Sequence, residues 1–174
     1  MKTLVIHPED PTTDSLGTIY KNKGFAIIRE WSVSLQELYP LVALHDRIIF
    51  LGHGFAFGLM KYSRQLRDKA FQELLRSKIC FCIWCYADMY VEKVGLKGFY
   101  TGMFISEMME AELNLIHATR EEIDHSNHLF ASVMAECLDS PNLLTELKSR
   151  YCGDSEVIRF NRERLYYRDK LPCD

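Results

Sequence analysis

The segment Arg47-Ile48-Ile49-Phe50-Leu51-Gly52-His53-Gly54 runs apolar from Ile48 to Leu51 without alternation, then breaks on a histidine set between two glycines. A second segment, Lys78-Ile79-Cys80-Phe81-Cys82-Ile83-Trp84-Cys85, repeats the plan, an unbroken apolar run ending at a thiol. A strand with one wet face alternates apolar and polar residues, whereas a parallel strand covered on both faces by helices is apolar throughout. Between the two runs, Tyr62 to Ser77 carries Leu66, Ala70 and Leu74 at helical spacing with Arg64, Lys69 and Glu73 between them. This is the amphipathic crossover that two parallel strands require, and it predicts a β-α-β unit whose helix has about four turns.

Outward from this unit the alternation of strands and helices continues. Thr3 to His7 reads as a first strand, Pro8 to Asp14 as a loop, and Thr13 or Asp14 as the cap of a short helix through Tyr20. Phe25 to Arg29 follows Gly24 as a second strand. Ser34 with Glu37 three residues on is a capping-box pattern, opening a helix that turns Leu35, Leu38, Leu41 and Val42 inward, with Pro40 predicting a kink or a boundary. Gly98 to Ile105 is a further strand, interrupted by Gly102, and Glu107 to Ile116 and Glu121 to Leu138 read as helices. Residues 139–174, punctuated by Pro141 and Gly153, are expected to add a shorter helix and an irregular tail. The fold class expected is α/β, a single domain with a mostly parallel sheet flanked by helices in three layers.

The composition bounds the function classes. At 174 residues the chain has the size of one domain, and 48% hydrophobic with 26% charged residues is the balance of a folded protein. A formal net charge of -3 supplies no field that would favour nucleic acid or an anionic membrane. The amino terminus lacks the pattern of a secretory signal, and no apolar stretch approaches the roughly 20 residues that span a bilayer. Of the six cysteines, Cys80, Cys82 and Cys85 crowd one apolar run, a poor framework for disulfides. Reduced thiols in the cytoplasm are expected, with neither a nucleic-acid nor a membrane partner.

In an open sheet wound this way, ligands bind beyond the carboxyl ends of the strands. His53 and Cys85 both fall there. A thiol attacks a carbonyl as thiolate, and an imidazole within reach can lower its pKa or take its proton. Neighbouring strands lie about 4.8 Å apart, which brings two such side chains within reach of one substrate. The glycines around His53 permit close backbone approach, and the amides of Gly54 and Cys85 are candidates to face a developing oxyanion.

The order of these pieces, an apolar strand into His53-Gly54, a helix, then an apolar strand into Cys85, resembles the caspase-like cysteine peptidases, among them caspases, gingipains, clostripain and CHAT domains. The later Gly95-Leu96-Lys97-Gly98-Phe99-Tyr100-Thr101-Gly102, with its Glu- and Met-rich helix, is similar to the unit that closes the sheet in that group. The resemblance covers roughly residues 1–138. It implies a caspase-like fold and cleavage of a peptide bond without a cofactor, with Cys85 as nucleophile, His53 as its acid-base partner and Gly54 as an oxyanion-hole amide. A peptide or protein would be the partner. Trp84 before the thiol, and Tyr86-Ala87-Asp88 after it without the glycine frequent in active members, depart from the group. Asp14 and Asp88 are the charges near the expected substrate-binding pocket and would favour a basic side chain at the cleavage site.

Other signals compete. A silent binding or regulatory domain of the same architecture would carry the same motifs. Cys82-Ile83-Trp84-Cys85 is a C-x-x-C, which in an α/β protein can mark a thiol-disulfide centre, although redox sites of this type place the first cysteine at a helix start. Glu121 with His125, and Asp124 with His128, have the helical spacing of metal ligands, but no partner motif completes a site and none is expected. Arg159, Arg162, Arg164 and Arg168 interleave with Phe160, Tyr166 and Tyr167, a pattern better explained by aromatics packing on the domain than by nucleic acid.

Overall fold

The computed structural model describes residues 1–31 and 33–169. Its centre is a six-stranded sheet of β1 (Thr3–Ile6), β2 (Ala26–Ile28), β3 (Arg47–Leu51), β6 (Ile79–Ile83), β7 (Gly98–Thr101) and β8 (Leu165–Arg168). Their order across the sheet is β2-β1-β3-β6-β7-β8. The first five are parallel and β8 runs antiparallel to β7. A short hairpin of β4 (Gly54–Phe55) and β5 (Gly58–Leu59) follows β3 outside the sheet. Three-layer α/β architecture with a mostly parallel sheet follows from the unbroken apolar runs, because β3 is buried along its whole length.

Alternation along each strand divides the core in two. Leu4, Ile6, Ile48, Phe50, Cys80, Cys82 and Trp84 face α1 (Leu35–Ala43), α2 (Ser63–Leu66), α3 (Lys69–Arg76) and α4 (Ala87–Val94). Val5, Ile49, Leu51, Phe81, Ile83 and Phe99 face the opposite layer. That layer is a 3₁₀ helix (Pro11–Ile19), α6 (Arg120–Cys137), α7 (Leu143–Arg150) and part of α8 (Glu156–Glu163); α5 (Met108–Leu113) sits at the carboxyl end of the sheet. Buried Arg47 joins the layers, donating to Thr3 Oγ1, the Leu138 carbonyl and Asp139 at 2.7–3.1 Å.

Several boundaries differ from the sequence reading for local reasons. The crossover between β3 and β6 is two helices, because the Asp68 carboxylate accepts from the Phe71 amide at 2.9 Å and starts a new helix there. The first loop becomes the 3₁₀ helix, capped by Asp10 through the Thr12 amide rather than by Thr13 or Asp14. Ser34 and Glu37 do form the capping box, and Pro40 lies inside a helix that ends three residues later at Ala43. β7 stops at Thr101, short of Gly102. Residues 139–169 are no extension: Leu143, Leu147, Tyr151, Ile158 and Leu165 are buried in the common core. β8 has no signature in the sequence because a four-residue edge strand carries too little periodicity, and its pairing comes from β7 and from Tyr166 stacked on Tyr100 at 5.5 Å.

Candidate functional site

The site begins with register. Leu51 pairs with Ile83 across β3 and β6. The Gly52 amide continues the ladder, donating to the Ile83 carbonyl at 3.2 Å. One residue further, His53 and Cys85 leave adjacent strands on the face that carries Leu51 and Ile83. Gly52 has φ +137°, a value that L side chains rarely adopt, so glycine is required for the turn that delivers the histidine. His53 and Cys85 line a small pocket of about 30 Å³ together with Thr12, Leu16 and Phe104, room for about one or two waters. They also line an open cleft of about 570 Å³ above it.

A relay orients His53. Thr12 Oγ1 lies 2.7 Å from Asp10 Oδ1 and 2.7 Å from His53 Nε2. Asp10, an anion, can only accept, so the Thr12 hydroxyl donates to it and its oxygen accepts from His53 Nε2–H. With Nε2 engaged in this way, Nδ1 is the ring nitrogen left outside the relay. Partial burial works against the Asp10 charge, but hydrogen bonds from the Thr12 hydroxyl and amide, helped by His53 and Lys61, hold its carboxyl below its ordinary range.

The loop bearing Thr12 is itself anchored. Buried His7, just past β1, accepts from Arg29 at Nδ1 (2.7 Å), and Nε2 therefore donates to Thr13 Oγ1 (3.1 Å). Thr13 donates in turn to the Asp10 carbonyl, and Arg29 also reaches Tyr20 and Asp14 at 2.9 Å each. Burial first, and then the Arg29 charge, lower the His7 pKa to about 4. It is a neutral structural imidazole.

Cys85 is held differently. Its thiol lies 3.3 Å from the Phe104 carbonyl and 3.3 Å from Glu110 Oε1 on α5. The other carboxylate oxygen of Glu110 accepts from the Ser106 amide and hydroxyl and from the Glu107 amide, at 2.6–3.1 Å. Burial, reinforced by Glu110, raises the Cys85 pKa far above that of a free thiol. The resting sulfur is protonated, and its single S–H is shared between these two oxygens rather than given to His53.

Gly54 has a backbone amide that the hairpin does not use. It pairs with Leu59 in the hairpin, and the bond from the Met60 amide to the His53 carbonyl at 2.9 Å makes this the non-hydrogen-bonded pair. Its N–H is therefore outside the ladder. A Cβ on Gly54 would overlap the Trp84 indole, which packs over it and donates from Nε1 to the Phe55 carbonyl at 3.0 Å. Trp84 is thus core beneath the hairpin and does not fill the cleft. Tyr86 lines the cleft with φ +64°, the left-handed region where glycine is the comfortable residue.

The proposed substrate carboxylates are not brought together. Asp14 is ion-paired to Arg29 and lines a separate cleft of about 680 Å³ with Glu107, Arg120, Asp124 and His128. Asp88 lies in the first turn of α4, with a buried oxygen that has no hydrogen-bond partner among the described residues, away from the cleft His53 and Cys85 share. In their place that cleft carries Glu107 and Glu110. Thr12, Asp10 and Glu110 are the residues the sequence reading missed. Asp10 and Thr12 had a trace in the Pro-Asp-Thr composition of the first loop, and Glu110 had none.

The C-x-x-C geometry does not suit a redox pair. Cys82 faces α1 and α4 from inside β6, whereas Cys85, three residues on, faces α5. Among the described residues no group of three His, Cys, Asp or Glu side chains is placed to hold a metal ion. The basic aromatic segment packs on the domain, Arg164 over Phe160 at 3.5 Å and Arg168 over Tyr100 at 5.9 Å from the ring centres.

No family model and no curated protein matches the chain. Among solved structures it is similar to the Trp repressor binding protein from Bacillus subtilis, with a TM-score of 0.41 at 16% identity over 57% of this chain and 82% of that one. So distant a likeness says nothing of activity. The chain's own topology makes it a three-layer α/β protein with His53 and Cys85 at the carboxyl ends of its two central neighbouring strands.

Proposed function

We propose that this chain is a caspase-like cysteine hydrolase that cleaves a peptide bond with Cys85 as nucleophile and His53 as general base and acid. The observation that carries the reading is that His53, its Nε2 tied to the Thr12–Asp10 relay, and Cys85 line one cleft. In the reaction His53 Nδ1 takes the thiol proton as sulfur bonds to the carbonyl carbon. The oxygen of the tetrahedral intermediate turns toward the Gly54 and Cys85 amides. His53 then passes its proton to the departing amine, and a water activated by the same ring hydrolyses the thioester.

The hydrogen bond from Cys85 to Glu110 favours a second reading, a silent binding domain, because a carboxylate beside the sulfur opposes thiolate formation. For the hydrolase, that bond is a resting contact that an incoming substrate displaces. No described helix is long and apolar enough to cross a membrane, and the unpaired thiols of Cys80, Cys82, Cys85, Cys137 and Cys152 suit the reducing cytoplasm. The two readings are separated by incubating the protein with a quenched fluorescent peptide library, alongside Cys85→Ala and His53→Ala. Turnover that both substitutions abolish supports the hydrolase. Equal turnover in all three proteins, or none in the native one, leaves the silent domain.

A further inference from the structure

Resting on that reading of the site, we infer that its open cleft selects a peptide carrying a large apolar side chain and no neighbouring acidic residue. Three stretches of the chain, residues 55–60, Tyr86 and residues 103–113, bring their apolar side chains to this one place. Phe55 comes from the hairpin, Met60 from the turn after it, Tyr86 from the turn after Cys85, Met103 from beyond β7, and Met109 and Leu113 from α5. Single exposed apolar residues are ordinary on any protein. Here Phe55 is 48% exposed, Met109 69% and Leu113 77%, and they meet around the candidate nucleophile. Apolar walls converging on a few polar groups are the ordinary make-up of a ligand cleft, and methionine walls adapt to varied side-chain shapes.

Charge chooses among peptides. Apart from His53, the ionisable side chains that line the cleft are the carboxylates Glu107 and Glu110 and the phenol and thiol of Tyr86 and Cys85. Among the described residues no lysine or arginine lines it to receive an acidic side chain, and an aspartate there would lie against two like charges while losing its water. Tyr86 adds to the argument. Its left-handed backbone is strained for a residue with a Cβ, and it places an aromatic side chain on the cleft wall where glycine would turn the chain more easily.

The test separates binding from turnover. Fluorescent hexapeptides that differ only at one central position, Phe, Leu, Ser, Lys or Asp, are titrated against the Cys85→Ala protein by anisotropy. The Phe and Leu peptides are expected to bind about 10-fold or more tightly than the Ser and Asp peptides. The double substitution Met109→Glu with Leu113→Glu should erase that preference, whereas Leu44→Glu, at an exposed position just past α1 that does not line the cleft, should leave it intact. Tightest binding of the Asp or Lys peptide, equal binding of all five, or no binding would overturn the inference. Selective binding without cleavage by the native protein would instead sink the hydrolase and leave the apolar cleft standing. Cleavage by the native protein without apolar preference would do the reverse.

Discussion

Replacing Glu110 by glutamine removes one charge beside the Cys85 sulfur and changes almost nothing else in shape. Two unit charges 3.3 Å apart interact by about 5 kcal/mol at an effective dielectric constant near 20. At about 1.4 kcal/mol per pKa unit this is an upper bound of about 4 units. The open cleft and the three donors on the other carboxylate oxygen screen the charge, so the expected fall in the Cys85 pKa is about 1–3 units. Thiolate nucleophilicity declines as pKa falls, with a Brønsted slope of about 0.4–0.5, so each unit yields about a 3- to 4-fold faster alkylation. Iodoacetamide at pH 8.5 should therefore modify Cys85 about 3- to 60-fold faster in Glu110→Gln than in the native protein. Peptide mapping by mass spectrometry assigns the rate to Cys85 rather than to exposed Cys152. Ser106→Ala is the control, because it loosens the carboxylate without removing its charge and should accelerate the reaction little. An unchanged rate in a folded Glu110→Gln protein, or an equal acceleration by Ser106→Ala, would refute the electrostatic account and point to access as the barrier.

Thr12→Val keeps the shape of the side chain but removes both bonds of the relay, so any peptide turnover should fall about 10-fold or more. Its pH profile should also change, which a merely structural role would not produce. Gly54→Ala should destabilise the fold by about 1–3 kcal/mol in urea titrations, because the new Cβ overlaps the Trp84 indole; a neutral substitution would show that the hairpin is not packed there. The His7 imidazole takes its proton near pH 4 in the folded protein, against 6.5 in the unfolded chain. Its contribution is therefore full above pH 6.5 and is lost as pH falls through the window to 4, about 3 kcal/mol in all. Thermal melts of His7→Gln should show a shallower loss of stability between pH 6.5 and 5 than the native protein, and identical slopes would contradict the assignment.

His53 is oriented from one side of the sheet edge by the first loop, and the Cys85 thiol is held from the other by α5. These two supports share no residue, so Thr12→Val and Glu110→Gln are expected to act independently.

What the sequence determined by itself was the order of covered strands. Ile48 to Leu51 and Ile79 to Ile83 have no polar position to offer solvent, and the amphipathic stretch between them can only cross over one face. Parallel pairing, burial and the placement of His53 and Cys85 at one edge follow from those local facts. Period-two alternation also puts positions 83 and 85 on one face and Cys82 on the other. Tertiary structure alone decided the rest. The Thr12 hydroxyl reaches His53 across 41 positions of sequence, and Glu110 reaches Cys85 across 25, both through loops whose paths no periodicity encodes. The same holds for β8, whose four residues become a strand only because β7 presents an unpaired edge with Tyr100 to stack on. Local residue pattern specifies what must be covered, whereas the partner of an exposed hydroxyl, carboxylate or strand edge is settled by packing between segments that the chain order does not bring together.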